Sequence, residues 1–312
     1  MIYLAIAAAV LFLLLVIGLW IIYDMAFAAK RSRHPAPDEM PPKDDEQYAP
    51  YGRMLRENVR RLDAVPYESV EITSFDGLRL RGRFYDAGKS APVAILFHGY
   101  RSTALRDASG GAPYCLKNGF SVLLVDQRSH GLSDGRTITF GVKERRDCLK
   151  WIEYINERTG AEAPVLLMGV SMGAATVLMA ADLELPDNVR CIMADCPYSS
   201  PEEIICRVAG KMGLPAGMLK PFIRASARIF GGFALNESTA VRAVRNCRIP
   251  VLLIHGDDDR FVPCDMSRRI HAANPEMITL VEIPSAGHGI AYYVDTEAYE
   301  KAVAEAWKAA IY

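Results

Sequence analysis

The stretch Gly169-Val170-Ser171-Met172-Gly173 decides the fold, because it places a serine between two glycines directly after the apolar run at residues 165–168. An apolar run followed by such a turn predicts a buried strand, a sharp turn and then a helix. Only residues without bulky side chains fit beside the serine in so tight a turn, which leaves its hydroxyl exposed above the strand ends. The pattern is typical of a nucleophile elbow, and its meaning depends on the rest of the chain.

The periodicity around the elbow predicts an α/β architecture with a mostly parallel, doubly wound sheet. Residues 70–73 and 78–85 alternate apolar with polar side chains around Asp76-Gly77, which predicts an N-terminal antiparallel hairpin. Continuous apolar runs then alternate with helical stretches such as 141–158 and 171–183, and such runs suit strands that are buried on both faces. These runs cover residues 92–97, 120–125, 164–168, 189–194, 250–255 and 278–283.

The composition describes an ordinary globular chain. Its 312 residues are 51% hydrophobic and 23% charged, which excludes disorder for most of the sequence. The net charge of −1 and the absence of a long basic tract give no reason to expect nucleic acid as a partner. The seven cysteines are an odd number without paired metal-ligand spacing, so we expect buried, reduced thiols in a reducing compartment.

The N-terminal residues 1–29 are predicted to form a transmembrane helix and its flank. Residues 2–23 carry no charged side chain, and a helix of that length rises about 33 Å, enough to cross a hydrocarbon core of about 30 Å. The alternative is a cleaved signal peptide, because Ala26-Phe27-Ala28 resembles a cleavage site, although the apolar run is long and lacks a basic leader. Lys30, Arg31 and Arg33 follow the helix, so the positive-inside rule predicts a single-pass protein with its N-terminus outside and its catalytic domain in the cytoplasm.

Residues 30–50 begin with this basic segment and continue as a stretch rich in proline and acid, which predicts an extended tether. The main domain is expected over residues 51–312. It begins with a helix in which Leu55, Val59 and Leu62 form an apolar stripe beside several arginines. That helix either packs on the domain with a solvated basic face or rests on anionic lipid headgroups.

Three loops fall where a parallel sheet brings its strand ends together. Tyr100 follows a strand in His98-Gly99-Tyr100, and its backbone N–H together with that of Met172 could donate to an oxyanion; a simple glycine turn is the alternative. Three acids follow another strand at residues 257–259, where solvated acids or a cation site are the alternatives. His288 lies between small residues after the last strand, and the order Ser171, Asp259, His288 is the one expected for this elbow.

From about Ser69 to the C-terminus the chain resembles the α/β-hydrolase superfamily, in its serine-aminopeptidase and lysophospholipase-like branch. The segments that carry the resemblance, besides the elbow, are Ser74-Phe75-Asp76-Gly77, Phe97-His98-Gly99-Tyr100, Asp126-Gln127-Arg128-Ser129-His130-Gly131-Leu132-Ser133, His255-Gly256 through Asp259 to Val262-Pro263, and Gly287-His288. The chain departs from the family at Ser129, where glycine is usual, and this departure affects a structural loop. The resemblance makes His130 a structural residue.

The resemblance implies a catalytic set of Ser171 as nucleophile, His288 as base and Asp259 as acid, since relatives carry the acid two positions before a hydrophobic-Val-Pro ending. Asp195 is the main rival, because some members draw their acid from the preceding strand. The backbone N–H groups of Tyr100 and Met172 form the expected oxyanion hole. No cofactor and no metal are implied.

Residues 197–236 interrupt the βα rhythm and are expected to form a short, apolar helical cap. Its apolar side chains either line an acyl pocket or simply pack the cap onto the domain; they are Met212, Leu214, Met218, Phe222, Ile229, Phe230 and Phe233. The expected function is a membrane-anchored serine hydrolase that cleaves esters or thioesters of an acyl-containing small molecule or lipid-like substrate. The alternatives are an aminopeptidase, for which only Glu202 and Glu203 offer cap acids, and a non-catalytic binding protein.

Overall fold

Eight strands form a single sheet in the computed structural model, which describes residues 1–30, 48–89 and 91–311. The strands are β1 (Glu68–Thr73), β2 (Arg79–Tyr85), β3 (Val93–Phe97), β4 (Ser121–Asp126), β5 (Val165–Val170), β6 (Val189–Asp195), β7 (Val251–Gly256) and β8 (Ile278–Ile283). Their order across the sheet is β1-β2-β4-β3-β5-β6-β7-β8. The strands β1 and β2 form an antiparallel hairpin, β2 also runs antiparallel to β4, and all other pairs are parallel. The predicted sheet is therefore confirmed.

Helices cover both faces of this sheet. They are α1 (Ile2–Ala26), α2 (Gly52–Asp63), α3 (Ala104–Ala108), α4 (Gly111–Lys117), α5 (Glu144–Thr159), α6 (Met172–Ala180), α7 (Pro201–Lys211), α8 (Ala216–Ile229), α9 (Ala240–Ala243), α10 (Cys264–Ala273), α11 (Ala291–Val294) and α12 (Thr296–Ile311), with 3-10 turns at Ala49–Tyr51 and Val244–Asn246. One core joins the sheet to α2, α3, α4, α11 and α12, and a second joins the other face to α5, α6, α9 and α10. Strands that are apolar on both sides require this double cover.

The apolar stripe of α2 packs into the first core. Leu55, Val59 and Leu62 are all at most 2% exposed. Of the two arrangements that the sequence left open for this helix, the structure has the one in which it packs on the domain.

The helix α1 is the one helix in the described part of the chain that is long and apolar enough to cross a membrane. Its first half is exposed on every side, whereas Leu19 and Tyr23 near its C-terminus are buried against the cap formed by α7 and α8. Phe27 beyond it is fully buried, and Ala28 pairs with Thr137 in an antiparallel bridge. The predicted tether lies largely at residues 31–47, outside the described residues, as do Arg31 and Arg33.

Candidate active site

The elbow at Ser171 joins β5 to α6 in a strained backbone conformation, with a glycine two positions before the serine and another two positions after it. Ser171 has a φ of 54° and a ψ of −110°, a sparsely populated region that costs about 1–3 kcal/mol. A Cβ on Gly169 would lie 2.3 Å from the carbonyl carbon of Gly173, and one on Gly173 would lie 1.9 Å from the carbonyl oxygen of Phe97. The two glycines are thus required by close backbone packing, as the motif predicted.

Three of the predicted site residues meet in one hydrogen-bonded chain. Ser171 Oγ lies 2.9 Å from His288 Nε2, and His288 Nδ1 lies 2.7 Å from Asp259 Oδ2. The three side chains come from the loops that follow β5, β7 and β8, at the carboxyl edge of the sheet. Ser171 is 9% exposed and Asp259 is 6% exposed, so the chain of hydrogen bonds is mostly shielded from water.

Asp259 is held as a carboxylate by its surroundings. Its Oδ1 accepts hydrogen bonds from the backbone N–H groups of Phe261 and Val262, each at 2.8 Å. Burial alone would raise the pKa of this carboxyl group, but hydrogen bonds from His255 and His288 and the charges of both rings hold the pKa well below its usual range. Asp259 therefore stays charged at neutral pH and can orient His288 and stabilise its protonated form.

His255 is a contributor to the site to which the sequence analysis assigned no role. Its Nδ1 lies 2.7 Å from Ser267 Oγ, and its Nε2 lies 2.9 Å from the carbonyl oxygen of Val262 and 3.2 Å from Asp259 Oδ2. A carbonyl oxygen only accepts, so Nε2 carries the proton and faces the Asp259 carboxylate as a donor. The available signal was a polar side chain at the end of the otherwise apolar strand β7.

Asp195, the rival acid, does not contact His288. Its Oδ2 accepts a hydrogen bond from the Tyr299 hydroxyl at 3.2 Å, while its Oδ1 is buried without a partner in the described part of the chain. Burial raises the pKa of Asp195 to about 6. Its backbone carbonyl supports the elbow by accepting a hydrogen bond from the N–H of Ser171 at 2.8 Å.

The loop that carries Tyr100 is braced from two sides. Asp107 Oδ2 accepts from the N–H of Gly99 at 2.6 Å, and His130 Nε2 accepts from the N–H of Arg101 at 3.0 Å. Between these braces, neither the N–H of Tyr100 nor that of Met172 donates to another group in residues 48–89 or 91–311. Asp107 was not among the predicted site residues, because its distance of eight residues from Gly99 gives no local signal.

His130 and Ser129 shape this neighbourhood without touching Ser171. Burial, together with the nearby His98, lowers the pKa of His130 to about 3, so the ring is neutral and Nε2 is free to accept. Ser129 has a φ of 68°, the left-handed conformation that explains why glycine suits this position, and its hydroxyl donates to the carbonyl oxygen of Thr137 at 2.8 Å.

Among the described residues, potential metal ligands come together at one place, around the hydrogen bond between His288 and Asp259. Ligand atoms of Cys196, Asp259 and His288 lie within 4.8 Å of one another, but a metal ion there would have to break the His288–Asp259 hydrogen bond. Burial raises the pKa of the Cys196 thiol well above its usual range, which disfavours the thiolate that a metal needs. Asp257 accepts from the N–H of Ser285 and Asp258 pairs with Arg260, so the three consecutive acids point apart.

Two cavities meet at Ser171. The smaller, of about 140 Å³, lies toward Tyr48, Arg106 and Tyr293. The larger, of about 430 Å³, lies between the end of α1 and the cap. Ser171 therefore separates a small, partly polar space from a large apolar one.

The sheet order and the strand-end site define an α/β-hydrolase fold. Residues 92–240 match the family described as alpha/beta hydrolase fold. The structure is similar to an esterase, Pf2001 of Pyrococcus furiosus, with a TM-score of 0.66, 24% sequence identity and coverage of 81% of this chain and 94% of that one.

Two proteins illustrate the sequence relationships. The uncharacterized protein YqkD of Bacillus subtilis is 26% identical over 245 residues, which cover 77% of this chain and 80% of that protein. Thiohydrolase aneE of Aspergillus aculeatus is 33% identical over 134 residues, which cover 42% of each chain.

Proposed function

We propose that the protein is a membrane-anchored serine hydrolase that cleaves acyl esters or thioesters through Ser171, His288 and Asp259. The observation that carries the proposal is the continuous hydrogen-bonded chain from Ser171 Oγ to Asp259, located at the carboxyl edge of the sheet. Similarity to a fungal thiohydrolase supports hydrolysis of an acyl bond, and the esterase neighbour has the same fold.

The proposed reaction has two halves. As Ser171 Oγ bonds to the substrate carbonyl carbon, its proton passes to His288 Nε2, and Asp259 stabilises the imidazolium. His288 then donates this proton to the oxygen of the departing alkoxide, or to the sulfur of the departing thiolate. The product of this half is an acyl-serine. Water attacks the acyl-serine, loses a proton to His288 and releases the carboxylic acid, after which His288 returns the proton to Ser171.

The proposed oxyanion hole consists of the backbone N–H groups of Tyr100 and Met172. Neither group has an acceptor among the described residues, and Gly99 beside Tyr100 approaches Ser171 closely. The helix α6 begins at Met172, so the positive end of its dipole adds to the field at the oxyanion. The brace from Asp107 to Gly99 supports a donor position that is fixed before substrate binds.

The engagement of the cap acids favours ester or thioester cleavage over aminopeptidase activity. Glu202 pairs with Lys220 and Arg224, and Glu203 pairs with Arg269 and accepts a hydrogen bond from Ser199. Carboxylates that are already neutralised by cations are poor partners for a substrate ammonium group.

The burial at the end of α1 favours a retained anchor over a cleaved signal peptide. Phe27 lies inside the supposed cleavage site, and its carbonyl oxygen accepts from the N–H of Ile138 at 2.7 Å, while the N–H of Ala29 donates to the carbonyl oxygen of Arg136 at 2.9 Å. Cleavage there would remove a fully buried aromatic side chain from the domain.

Labelling with a fluorophosphonate tests the enzyme proposal. Detergent-solubilised protein should gain one covalent adduct, which Ser171→Ala should abolish and the matched control Ser285→Ala, at an exposed serine, should retain. An unlabelled wild type would overturn the proposal and favour a non-catalytic binding protein. A series of aryl esters, acyl thioesters and aminoacyl amides then distinguishes an esterase from a peptidase. An esterase should hydrolyse the esters or thioesters, whereas hydrolysis of the amides alone would indicate a peptidase.

A pair of introduced cysteines tests the anchor and its direction. In intact cells an impermeant maleimide should label Tyr3→Cys at the start of α1 and leave Glu157→Cys on exposed α5 unlabelled. The reverse result would place the catalytic domain outside. A mature chain that begins after residue 28 by mass spectrometry would contradict the anchor itself.

A further inference from the structure

The large cavity beside Ser171 is built jointly by α1 and the cap. Ile22 and Met25 of α1 form one wall, while Ile205, Leu219 and Ile223 of the cap form the facing wall. Lys30 and Arg101 are the charged residues in its lining, and Arg101 Nη2 donates to the carbonyl oxygens of Met25 and Ala28. The space between the walls is thus suited to an apolar chain.

The wall from α1 is firmly attached. Ser226 Oγ donates to the carbonyl oxygen of Leu19 at 2.9 Å, and Trp20 packs edge-on against Phe230 at 5.3 Å between ring centroids. Phe27 is held edge-on between Phe140 at 5.9 Å and Phe233 at 5.5 Å. The end of α1 is therefore a fixed part of the cavity.

The helices α1 and α8 meet near the C-terminal end of α1. Leu19 lies against Ser226, and Trp20 and Tyr23 both lie against Phe230. The cap therefore contacts the end of α1 and leaves uncovered its earlier, exposed half, which we assign to the bilayer.

The rim of the cavity and the outer face of α8 are apolar. Met25, Met212 and Leu214 line the cavity and are still 44%, 56% and 42% exposed. On α8, Met218 is 74% exposed and Phe222 is 42% exposed. Apolar surface of this kind beside a membrane-spanning helix is typical of a face that enters the lipid interface.

We propose that this cavity holds the acyl chain of the substrate and opens to the bilayer between α1 and the cap, so that long-chain acyl esters of membrane lipids enter without crossing water. The inference rests on the proposed function and deepens it, because it assigns the substrate class. The apolar rim, which includes Met25 of α1 itself, is the feature that favours lipid over a water-soluble acyl donor.

Filling the cavity tests the acyl site. Ala209→Phe places a benzyl group in the cavity, and Gly210→Phe places the same group on the neighbouring, open position. Because each buried methylene contributes up to about fourfold in kcat/KM, about 0.8 kcal/mol, Ala209→Phe should lower kcat/KM for hexadecanoyl esters at least tenfold and leave butanoyl esters within twofold. Gly210→Phe should change neither. Equal losses on both esters, or no loss, would overturn the acyl site.

Charging the outer face of α8 tests entry from the bilayer. Met218→Glu combined with Phe222→Glu should lower hydrolysis of a long-chain diacylglycerol ester at least tenfold when enzyme and ester share anionic phospholipid vesicles. The same variant should hydrolyse that ester normally in detergent micelles, and the control Ile311→Glu, at an exposed apolar residue on α12, should act as wild type in both. Equal activity of the variant and wild type in vesicles would overturn entry from lipid.

Two measurements distinguish failure of the proposed enzyme from failure of the proposed acyl cavity. Fluorophosphonate labelling and butanoyl ester hydrolysis report on Ser171 alone, so their absence in wild type counts against the enzyme itself. Normal labelling with an unchanged chain-length profile in Ala209→Phe counts only against the cavity. The acyl chain could come from a lipid or from an acylated peptide, so a peptide that carries a long-chain acyl thioester is tested beside the lipid ester in the same vesicles. Hydrolysis of the peptide thioester without hydrolysis of the lipid ester would overturn the lipid assignment.

Discussion

Asp195 ends the strand β6 and Asp259 follows the neighbouring strand β7; both are buried, but their electrostatic surroundings are opposite. Asp259 receives two backbone N–H groups and two imidazoles, which hold its pKa well below the usual range. Asp195 receives one tyrosine hydroxyl, and burial raises its pKa to about 6. Location at a strand end does not make an acid part of a catalytic chain. The donors that its loop supplies decide whether the charge is retained.

The largest expected difference between the two acids is in activity. Asp259→Asn should lower kcat about 10⁴-fold, because an amide cannot stabilise the imidazolium or hold its tautomer. Asp195→Asn should lower kcat less than tenfold, since only its backbone carbonyl supports the elbow. Turnover of a short aryl ester measures both. Comparable losses in the two variants would show that Asp195 shares the role of the acid.

The second difference is in stability and its pH dependence. The pKa of Asp195 is about 6 in the folded chain against an ordinary 3.8, so the folded state binds the proton more tightly and stability falls as pH rises from about 4 through 6. Asp195→Asn removes the cost of burying this carboxylate and should stabilise the protein by up to about 3 kcal/mol at pH 8.

The melting temperature at pH 5 and pH 8 measures this effect, with the gain of Asp195→Asn larger at pH 8. Asp187→Asn, at an exposed acid near the start of β6, is the matched control and should not change the melting temperature. A gain in melting temperature confined to pH 5 would contradict the upward shift of the pKa of Asp195.

A smaller effect is expected at the partner of Asp195. Tyr299→Phe removes the hydroxyl that donates to Asp195 Oδ2 and should cost about 1–2 kcal/mol of stability at pH 8, with labelling of Ser171 retained. In the Asp195→Asn background the cost should shrink, because the charge that the hydroxyl solvates is gone. Additive costs in the double variant would contradict this coupling.

An effect on activity smaller than that of Asp259→Asn is expected at His255, whose Nε2 faces the same oxygen of Asp259, Oδ2, that His288 Nδ1 contacts. His255→Gln should lower kcat about tenfold, roughly 1.4 kcal/mol, because Asp259 keeps its two backbone donors. The variant should leave KM unchanged, since His255 lines neither of the two cavities at Ser171. A loss as large as that of Asp259→Asn would mean that His255 is needed to hold the acid in place.

The sheet and the elbow were predictable because their signals are local. Strands that are buried on both faces need continuous apolar runs, and the turn at Ser171 leaves no room for a Cβ at Gly169 or Gly173. The ends of the apolar runs located the loops at the carboxyl edge, and the resemblance to the α/β-hydrolase superfamily selected Asp259 among the three consecutive acids. Ser171, Asp259 and His288 could therefore be named together as candidates.

The supports of the site were not predictable because they join residues that are distant in sequence. Ser226 meets Leu19 across 207 positions, and the Tyr48 hydroxyl donates to the carbonyl oxygen of His288 across 240 positions. Periodicity within one segment predicts which face of a helix is buried, but it does not predict against which partner. The contribution of α1 to the large cavity was missed for the same reason.

The burial of Phe27 has a mechanical consequence for the membrane-anchored enzyme that we propose. A domain that hung only from the linker could swivel and change its height above the lipid surface. Here the end of α1 is bonded to the cap and to residues 136–138, so in the proposed arrangement the helix would set both the tilt of the domain and the height of Ser171 above the lipid. Lengthening the linker should therefore leave the reach of the active site unchanged, whereas adding a turn to α1 should shift it by about 5.4 Å.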